Sequence, residues 1–458
     1  MFLDFFFKKT CENICWFKEN AYFCNRNQIC NDYNFEKIEQ KNKIVKLNVK
    51  YKKNKIMHNA RKITNDYYWV GGSDRRLALF ENVMPIPRGV SYNAYLLMDE
   101  DKTVLLDTAD ASISYQFFEN VKYVLNGRSL DYLVVNHMEP DHCALIEDLV
   151  LRYPAMKLIG NAKTLVMIKQ FFDFEVDDRF VTVKEGDVFE TKNHKLTFVM
   201  APMVHWPEAM FTYDIETKIL FSADAFGTFG ALNGNLFNDE VNFDRDWIDD
   251  ARRYYTNIVG KYGSSVQTVL KKAAGIQIDM ICPLHGPIWR NDLGYFIDKY
   301  NKWSLYEPED KAVMIVYGSM YGNTESVANK TASLLAEAGV KDVRCYDVSA
   351  THVSYLISEA FRCSHLILAA PTYNGGVFTP MENFLLDLKA HGLQKRSFAL
   401  IENGTWGPVA GCKMRSIIEE MKEMNVLEST LTIRSSMKDN QIEMLEAMVS
   451  EVVADLNK

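Results

Sequence analysis

The chain has 458 residues, of which 48% are hydrophobic and 24% charged, so it is not a disordered chain and can fill the cores of two or three domains. A formal net charge of −8 at pH 7 argues against a broad nucleic-acid-binding surface, which needs clustered positive charge. No apolar run approaches the roughly 18 residues of a membrane-spanning helix, so neither nucleic acid nor a membrane is an expected partner.

Residues 1–56 differ in composition from the rest of the chain. They carry 12 Lys/Arg against 6 Asp/Glu and no Gly or Pro, whereas the remaining residues carry 40 Lys/Arg against 54 Asp/Glu. A secretory signal is not expected, because Asp4 interrupts the short Phe run and Lys8 and Lys9 follow that run instead of preceding it. The Asn- and Lys-rich composition resembles translated AT-rich sequence. We therefore predict an atypical leader outside the fold and a start at Met57, with an organelle-targeting extension as the alternative.

The cysteines divide in the same way. The leader holds four of the nine cysteines, and because these lack paired C-x2-C spacing, a zinc site among them is only a weak alternative. The other five are widely spaced and odd in number, which predicts reduced thiols in a cytoplasmic protein. The leader cysteines are Cys11, Cys15, Cys24 and Cys30, and the others are Cys143, Cys282, Cys345, Cys363 and Cys412.

Short strand-like runs alternate with turns and a few amphipathic segments over residues 57–301. This pattern predicts an α+β sandwich in which sheets are covered by helices. The clearest runs are Thr103–Leu106, Tyr132–Val135, Thr197–Met200 and Ile219–Ser222.

A polar segment at residues 302–311, KWSLYEPEDK, is the predicted linker to a second unit. Over residues 312–458, five strand-like runs each lead into an amphipathic segment of helix length, which predicts a parallel, doubly wound α/β sheet. The runs are Ala312–Tyr317, Val343–Val348, His365–Ala370, Phe398–Ile401 and Leu431–Ile433.

The strongest chemical signal in the first unit follows the run Tyr132–Val135. The sequence N-H-M-E-P-D-H places His137, Glu139, Asp141 and His142 within six residues. Two carboxylates and two imidazoles so close together are costly unless a cation holds them. A solvated polar loop is the alternative for any one of these residues alone.

Three further candidate ligands follow later strand-like runs. His205 comes after KLTFVMAPMV, Asp224 ends KILFSAD and His285 ends DMICPL. Because loops at the carboxyl ends of strands converge, we predict a two-metal site in which Asp224 bridges two groups. The groups are His137, Glu139 and His205 for one metal, and Asp141, His142 and His285 for the other. The remaining histidines are expected in the surface or core: His58, His194, His352, His365 and His391.

The second unit carries three loops suited to a phosphate and a flat ring. The first, G-S-M-Y-G-N-T-E, opens a helix near Thr324 and offers hydroxyls and backbone N–H groups. It lacks the Lys of a P-loop and the G-x-G-x-x-G of a dinucleotide site, which favours a monophosphate. Aromatic residues Tyr373 and Trp406 in the other two loops could flank a flat ring, or merely pack at the loop bases. The predicted cofactor-binding residues are Ser319, Met320, Tyr321, Gly322, Asn323, Thr324, Pro371, Thr372, Tyr373, Asn374, Gly375, Asn403, Gly404, Thr405, Trp406 and Gly407.

The first unit resembles the metallo-β-lactamase fold, whose hydrolases usually show H-x-H-x-D-H, but Glu139 stands at the middle histidine position. A hard, anionic carboxylate favours iron over zinc and suits redox chemistry. The pattern H-x-E-x-D-H, with a later His, an Asp 19 residues beyond it and a final His, is similar to the flavodiiron proteins. This resemblance extends over residues 57–458 and implies a metallo-β-lactamase-like αββα sandwich followed by a flavodoxin-like domain.

The resemblance implies FMN and two iron ions per chain, and an oxidoreductase that reduces dioxygen to water or nitric oxide to nitrous oxide. It leaves two alternatives for His142: the residue either binds iron or is replaced at the metal by water. It also implies a homodimer, or a dimer of dimers, in which the FMN of one subunit meets the irons of the other. Trp406 matches a family Trp close to the partner subunit's irons, and Tyr254 and Trp289 are weaker candidates for the pocket wall, either of which could be a core residue.

No C-x-x-C pair follows residue 57, so we expect a separate electron donor, either a rubredoxin or a reduced deazaflavin. Two other functions stay open at the sequence level. A zinc hydrolase of the same fold is disfavoured by Glu139 and has no use for a flavodoxin-like domain. A flavodoxin-like electron carrier would leave the seven clustered ligands without a role.

Overall fold

The structure is a computed structural model, and it describes residues 57–458. The predicted leader, residues 1–56 with its four cysteines, lies outside the described residues. The predicted start at Met57 is therefore not addressed by the structure.

The first half of the described chain contains two main sheets and two short two-stranded sheets. One main sheet has seven strands in the order β1-β2-β7-β8-β9-β10-β11, and β3–β6 and β4–β5 form the two-stranded sheets. The strands are β1 Arg61–Lys62, β2 Tyr67–Trp69, β3 Gly72–Asp74, β4 Leu79–Phe80, β5 Met84–Pro85, β6 Val90–Tyr92, β7 Tyr95–Met98, β8 Thr103–Leu106, β9 Tyr132–Val134, β10 Lys157–Gly160 and β11 Phe180–Thr182.

The second main sheet has five strands in sequence order, antiparallel up to β15, which pairs in parallel with β16. Phe221 faces the first sheet, with ring centroids 5.1 Å from Tyr67 and 5.3 Å from Tyr95. The two sheets thus pack face to face over one apolar core, as the α+β sandwich prediction requires. The strands are β12 Val188–Glu190, β13 Lys195–Met200, β14 Met210–Asp214, β15 Ile219–Phe221 and β16 Met280–Cys282.

Helices cover this sandwich and connect its strands. The first turn of α4 is capped by Asn161, whose side chain accepts hydrogen bonds from the backbone amides of Lys163 and Thr164. The helices are α1 Ser114–Leu125, α2 Pro140–Cys143, α3 Ile146–Arg152, α4 Ala162–Phe171, α5 Phe243–Asp246, α6 Ile248–Tyr254, α7 Gly263–Ala273 and α8 Leu293–Ser304.

The third sheet is parallel apart from β20 and has the strand order β18-β17-β19-β21-β22. This is the order of flavodoxin-like sheets, and it confirms the predicted doubly wound fold. Apolar clusters on both faces pack the helices against it. The strands are β17 Asp310–Tyr317, β18 Val343–Asp347, β19 Cys363–Tyr373, β20 Gly376–Val377, β21 Ser397–Asn403 and β22 Asn425–Ile433. The helices are α9 Asn323–Glu337, α10 Val353–Arg362, α11 Thr379–Ala390, α12 Ala410–Glu419 and α13 Ile442–Leu456.

The segment predicted as a linker, residues 302–311, overlaps the end of α8 and the start of β17. Residues 302–304 belong to α8 and residues 310–311 to β17, so only residues 305–309 connect them. Glu309 accepts hydrogen bonds from Trp303 Nε1 at 2.7 Å, from Lys299 Nζ at 2.9 Å and from Arg252 Nε. The connection is therefore tied to the sandwich by a buried charge cluster.

Among residues 57–458, no helix combines the length and the apolar character needed to cross a bilayer.

Candidate metal centre and cofactor cleft

The carboxyl end of β9 delivers the H-x-E-x-D-H motif. Asp107, at the end of the neighbouring strand β8, accepts hydrogen bonds from the backbone amides of Asn136 at 2.7 Å and His137 at 3.2 Å. Helix α2 begins at Pro140, a residue suited to the first helical position, and its single turn carries Asp141 and His142. The local sequence thus places the motif side chains on one short segment, in which Glu139 is partly buried and the other three are buried.

The seven predicted ligands come together in two groups. Atoms of His137, Glu139, His205 and Asp224 lie within 4.8 Å of one another, and so do atoms of Asp141, His142 and His285. In the first group, Glu139 Oε2 is 3.2 Å from His137 Nε2 and 3.0 Å from His205 Nε2. In the second group, the Nε2 atoms of His142 and His285 are 3.0 Å apart, and each is 3.3 Å from Asp141 Oδ2.

Asp224 lies between the two groups and turns one oxygen toward each. Its Oδ2 is 3.3 Å from His137 Nε2 and 3.1 Å from His205 Nε2. Its Oδ1 is 3.2 Å from His142 Nε2 and 3.6 Å from His285 Nε2. This is the arrangement of a carboxylate that bridges two cations.

The donor set fits a pair of metal ions. Within the described part of the chain, both carboxylate oxygens of Asp141 and Oδ1 of Asp224 are buried without a hydrogen-bond partner. A buried carboxylate oxygen is costly unless a donor or a cation compensates it. Two cations would be coordinated by these oxygens and by the converging imidazole nitrogens.

The imidazoles and carboxylates of the site shift each other's pKa toward the charged form. Burial disfavours charged imidazoles here, yet the Asp224 carboxylate and hydrogen bonds to Asp224, Glu139 and Glu208 raise the pKa of His137 well above its usual range. Against the same burial, hydrogen bonds to Asp224 and Glu139 raise the pKa of His205 to about 9. Burial likewise opposes the Asp224 carboxylate, but His137 and His142 hold its pKa well below its usual range. Metal binding must therefore displace protons from the imidazoles.

Outer residues that the sequence prediction missed orient the histidines. Glu208 Oε1 bonds His137 Nδ1 at 2.9 Å and accepts from the Met138 amide at 2.8 Å. His285 Nδ1 donates to the Ser91 carbonyl at 2.7 Å. Both contacts leave the Nε2 atom free to face the site, as hydrogen bonds to the other ring nitrogen of metal-binding histidines commonly do. The only sequence feature that could have indicated Glu208 is its position three residues after the candidate ligand His205.

Of the two weaker pocket candidates, only Tyr254 lies at the site. Its buried ring is 5.3 Å from the His285 ring between centroids, and its hydroxyl has no hydrogen-bond partner among the described residues. Trp289 instead packs in the aromatic core, 4.4 Å from Phe296 and 4.6 Å from Phe243 between ring centroids. Of the two roles that the sequence left open for Trp289, pocket wall or core residue, the structure places it in the core.

The second site is a cleft of about 540 Å³ at the carboxyl edge of the third sheet. Helix α9 starts there after Gly322, whose φ of 88° suits glycine. Thr324 in its first turn is buried, and its Oγ1 accepts a hydrogen bond from Asn403 Nδ2 at 3.3 Å. A helix N-terminus with nearby hydroxyls is suited to a phosphate group.

Most of the predicted cofactor residues line this cleft. Gly322 and Tyr373 are the exceptions, since they lie beside the lining residues in sequence without being among them. Ser435, which was not predicted, follows β22 and lines the cleft, and its amide donates to Asn403 Oδ1 at 3.0 Å. Trp406 lines the cleft and is 91% exposed, so it is available to a ligand or a partner. The lining residues are Ser319, Met320, Tyr321, Asn323, Thr324, Pro371, Thr372, Asn374, Gly375, Asn403, Gly404, Thr405, Trp406, Gly407 and Ser435.

Two family models match the described chain. The ODP family beta lactamase model matches residues 90–286 and the flavodoxin model matches residues 315–443. An uncharacterized protein of Methanocaldococcus jannaschii is 32% identical over 381 residues, which are 83% of this chain and 94% of the relative. A nitric oxide reductase of Moorella thermoacetica is 31% identical over 78% of this chain and 88% of its own length. An anaerobic nitric oxide reductase flavorubredoxin of Aliivibrio salmonicida is 31% identical over 75% of this chain and 69% of its own length.

Solved structures show the same architecture. Rubredoxin oxygen:oxidoreductase from Desulfovibrio gigas superimposes with a TM-score of 0.80 at 25% identity, covering 87% of this chain and 98% of that protein. The flavodiiron protein from Giardia intestinalis superimposes with a TM-score of 0.81 at 22% identity over the same shares, a likeness of fold.

Fold, site and relatives define a class: an oxidoreductase with a metallo-β-lactamase-like domain joined to a flavodoxin-like domain. Within that class, the chain belongs to the flavodiiron protein family. Membership implies FMN and a diiron centre as its cofactors, and the cleft and the clustered ligands fit both.

Proposed function

We propose that this flavodiiron protein reduces dioxygen to water, nitric oxide to nitrous oxide, or both. The observation that carries the proposal is the two-group ligand set bridged by Asp224, with the Glu139 carboxylate in place of an imidazole. This set is hard and anionic enough to favour iron over zinc. The relatives named as nitric oxide reductases and as a rubredoxin oxygen:oxidoreductase support the same chemistry.

In this proposal, His137, Glu139 and His205 hold one iron, Asp141, His142 and His285 hold the other, and Asp224 bridges them. When bound, the iron pair supplies a redox-active site for the gas. Glu208 and Ser91 fix the ring orientations of His137 and His285. Tyr254 closes the pocket beside His285, and its hydroxyl, which has no hydrogen-bond partner within residues 57–458, is available to a polar group there.

The proposed FMN residues are the sixteen predicted from sequence together with Ser435. The N-terminal turn of α9, with Ser319 and Thr324, would hold the phosphate, because amides and hydroxyls converge there. The exposed Trp406 and the half-exposed Tyr373 would stand beside the ring system. A flavin in this cleft supplies electrons one or two at a time.

We further propose a separate electron donor, a rubredoxin or a reduced deazaflavin, and a head-to-tail homodimer or a dimer of such dimers. In the dimer, the exposed Trp406 of one subunit would lie near the irons of the other. We therefore propose Trp406 as a catalytic residue, together with Tyr254, which lies beside His285. Five free cysteines among the described residues support a cytoplasmic location. We propose domain limits at residues 57–301 and 312–458, which the extents of the two family matches support.

The test of this function is gas consumption by the purified full chain. We expect about two irons and one FMN per chain, and steady-state loss of dioxygen, nitric oxide or both with a chemically reduced donor. Parallel assays with each gas would establish the preference. Zinc-containing protein with hydrolytic activity and no gas consumption would contradict the proposal.

A further inference from the structure

Helix α12 begins beside the cofactor cleft without a cap of its own. Its N-cap residue is Val409, whose aliphatic side chain makes no capping hydrogen bond. The first amides of a helix have no partner inside the helix, so they need acceptors from elsewhere. Gly407, only two residues before Val409, lines the cleft. The way in which the start of α12 is held therefore affects one wall of the cleft.

Two side chains from neighbouring strands supply the missing acceptors. Thr372, in β19, accepts on Oγ1 from the backbone amides of Val409 at 2.8 Å and Ala410 at 3.1 Å. Glu402, in β21, accepts on Oε2 from the Gly411 amide at 2.8 Å. Three successive amides at the start of α12 are thus bound by residues that lie outside the helix.

Glu402 uses both of its carboxylate oxygens in this way. The residue is 9% exposed, and its Oε1 accepts from Thr432 Oγ1 at 2.8 Å. Gly411 permits the close approach of helix and strand, since a β-carbon there would lie 3.1 Å from Glu402 Oε2. A carboxylate is favoured at the N-terminus of a helix both as an acceptor and by the helix dipole. Glu402 thus joins β21, β22 and α12.

The segment between β21 and α12 is the loop 404–409, which carries Trp406. At the first end of the loop, the Gly404 amide donates to the Ile433 carbonyl at 3.0 Å. The loop folds back on itself, because a β-carbon on Gly404 would lie 2.8 Å from Pro408 Cα. The second end is the capped start of α12. Trp406, although 91% exposed, is therefore carried by a loop that is held at both ends.

We propose that Glu402 and Thr372 are positioning residues that cap α12 from outside the helix and thereby hold the loop that carries Trp406. The sequence prediction assigned Thr372 to the cofactor and did not include Glu402. The effect on catalysis rests on the proposed function of Trp406, whereas the capping of α12 does not. Two measurements separate these claims.

The first measurement is amide hydrogen exchange of residues 404–411 in the FMN-loaded full-length protein. Glu402→Met should accelerate exchange there about tenfold, a factor within the range for losing a helix cap. Glu402→Gln should exchange like the wild type, because its side-chain amide can accept from Gly411 and donate to Thr432. Glu359→Met is the matched control, since Glu359 is also buried but bonds Arg362 at the end of α10. Unchanged exchange in Glu402→Met, or equal acceleration in Glu359→Met, would overturn the capping role of Glu402.

A second pair of variants decides the question if Glu402→Met does not fold. Thr372→Val keeps the shape of the side chain but removes the acceptor for two amides, so it should also accelerate exchange of residues 404–411. Thr372→Ser keeps the hydroxyl and should exchange like the wild type. Equal exchange in Thr372→Val and Thr372→Ser would overturn the capping role of Thr372.

The second measurement is a double-mutant cycle with Trp406, followed by single-turnover oxidation of the reduced flavin by the gas. Glu402→Met should slow this reaction about threefold, because a displaced loop misplaces Trp406, and Glu402→Gln should restore the rate. In a Trp406→Ala background, Glu402→Met should have no further effect, since the loop no longer carries the indole. An unchanged rate in Glu402→Met, or equal slowing in both backgrounds, would overturn the positioning of Trp406 by Glu402.

Failure of the proposed function gives a different result. A wild-type protein that reduces neither gas, or a Trp406→Ala protein as fast as the wild type, would contradict the function proposed for the chain or for Trp406. In either case, the exchange measurement still decides whether Glu402 and Thr372 cap α12.

Discussion

We propose that the choice of metal depends on Glu139. Its carboxylate lies between two imidazole nitrogens, at 3.2 Å from His137 and 3.0 Å from His205, where the hydrolases of this fold place a histidine. A neutral imidazole there would leave the site less anionic and better matched to zinc. Changing Glu139 is therefore expected to affect both which metal is bound and whether the protein carries out redox chemistry.

Replacing Glu139 by His should shift the purified protein from iron toward zinc and abolish gas reduction. Elemental analysis and gas consumption measure the two effects. Glu147→His, at an exposed position of α3, is the control and should change neither. Full iron content and full turnover in Glu139→His would show that the carboxylate does not select the metal.

His142 has the geometry of a ligand, because its Nε2 lies 3.2 Å from Asp224 Oδ1 and 3.3 Å from Asp141 Oδ2. A buried imidazole beside two cations would otherwise have to stay neutral and unpaired. His142→Ala should therefore lower the iron content by up to one ion per chain and change the spectrum of the metal pair. His194→Ala is the control, since that buried histidine bonds Asp214 instead of the candidate ligands. Two irons with an unchanged spectrum in His142→Ala would favour the water-displaced alternative.

The connection between α8 and β17 is held by one carboxylate. Glu309 accepts from Trp303, Lys299 and Arg252, so it joins the end of the sandwich to the start of the third sheet. Burial disfavours its charge, but the Arg252 guanidinium and the hydrogen bonds from Arg252 and Lys299 lower the pKa of Glu309 to about 2. The segment 305–309 is thus a fixed joint between two elements.

Glu309→Gln should destabilise the protein by about 3 kcal/mol at neutral pH, from a pKa lowered from 4.5 to about 2. A lowered carboxyl pKa stabilises the fold above the unfolded pKa, and this contribution is lost as the pH falls from about 4.5 through about 2. Denaturant unfolding of both proteins should therefore show a stability difference that shrinks over this range. Glu307→Gln, at an exposed residue of the same segment, should have no such effect. A difference that does not change with pH would contradict the assignment.

In the whole molecule, electrons must pass between two sites that are built on different sheets. The flavin cleft lies at the carboxyl edge of the third sheet, and the candidate iron ligands lie at strand ends of the first two. Trp406, which is 91% exposed, makes the cleft side available to a second subunit. A two-fold head-to-tail dimer would bring both pairs of sites together through one repeated contact.

Subunit complementation tests this arrangement. One chain would lack FMN through Ser319→Ala and Thr324→Val, and the other would lack iron through His137→Ala and Asp224→Ala. Mixing them should restore gas reduction, because each heterodimer contains one intact flavin–iron pair. Mixtures that stay inactive despite demonstrated subunit exchange, or a fully active monomer, would rule out transfer across a dimer.

The sequence predicted ligands that directly follow strand-like runs, including the distant His205, Asp224 and His285, and missed residues that act only through contacts with those ligands. H-x-E-x-D-H occupies one turn after β9, so its spacing already indicated the metal chemistry. Glu208 lies 71 residues from His137 in the chain, so no local pattern indicates their contact. The polar composition of residues 302–311 does not reveal that Glu309 is buried by side chains of other elements. Trp289 shows the same limit, since only packing distinguishes a core aromatic from a pocket wall.

The most direct test is a single-turnover reaction of the anaerobically reduced full chain with dioxygen, and separately with nitric oxide, in iron-loaded and iron-free forms. We predict rapid flavin oxidation in the iron-loaded form with at least one gas, with water and no hydrogen peroxide from dioxygen, or nitrous oxide from nitric oxide. The iron-free form should react slowly and release peroxide from dioxygen. Equal rates and equal products in the two forms would contradict the claim that the metal centre reduces the gas.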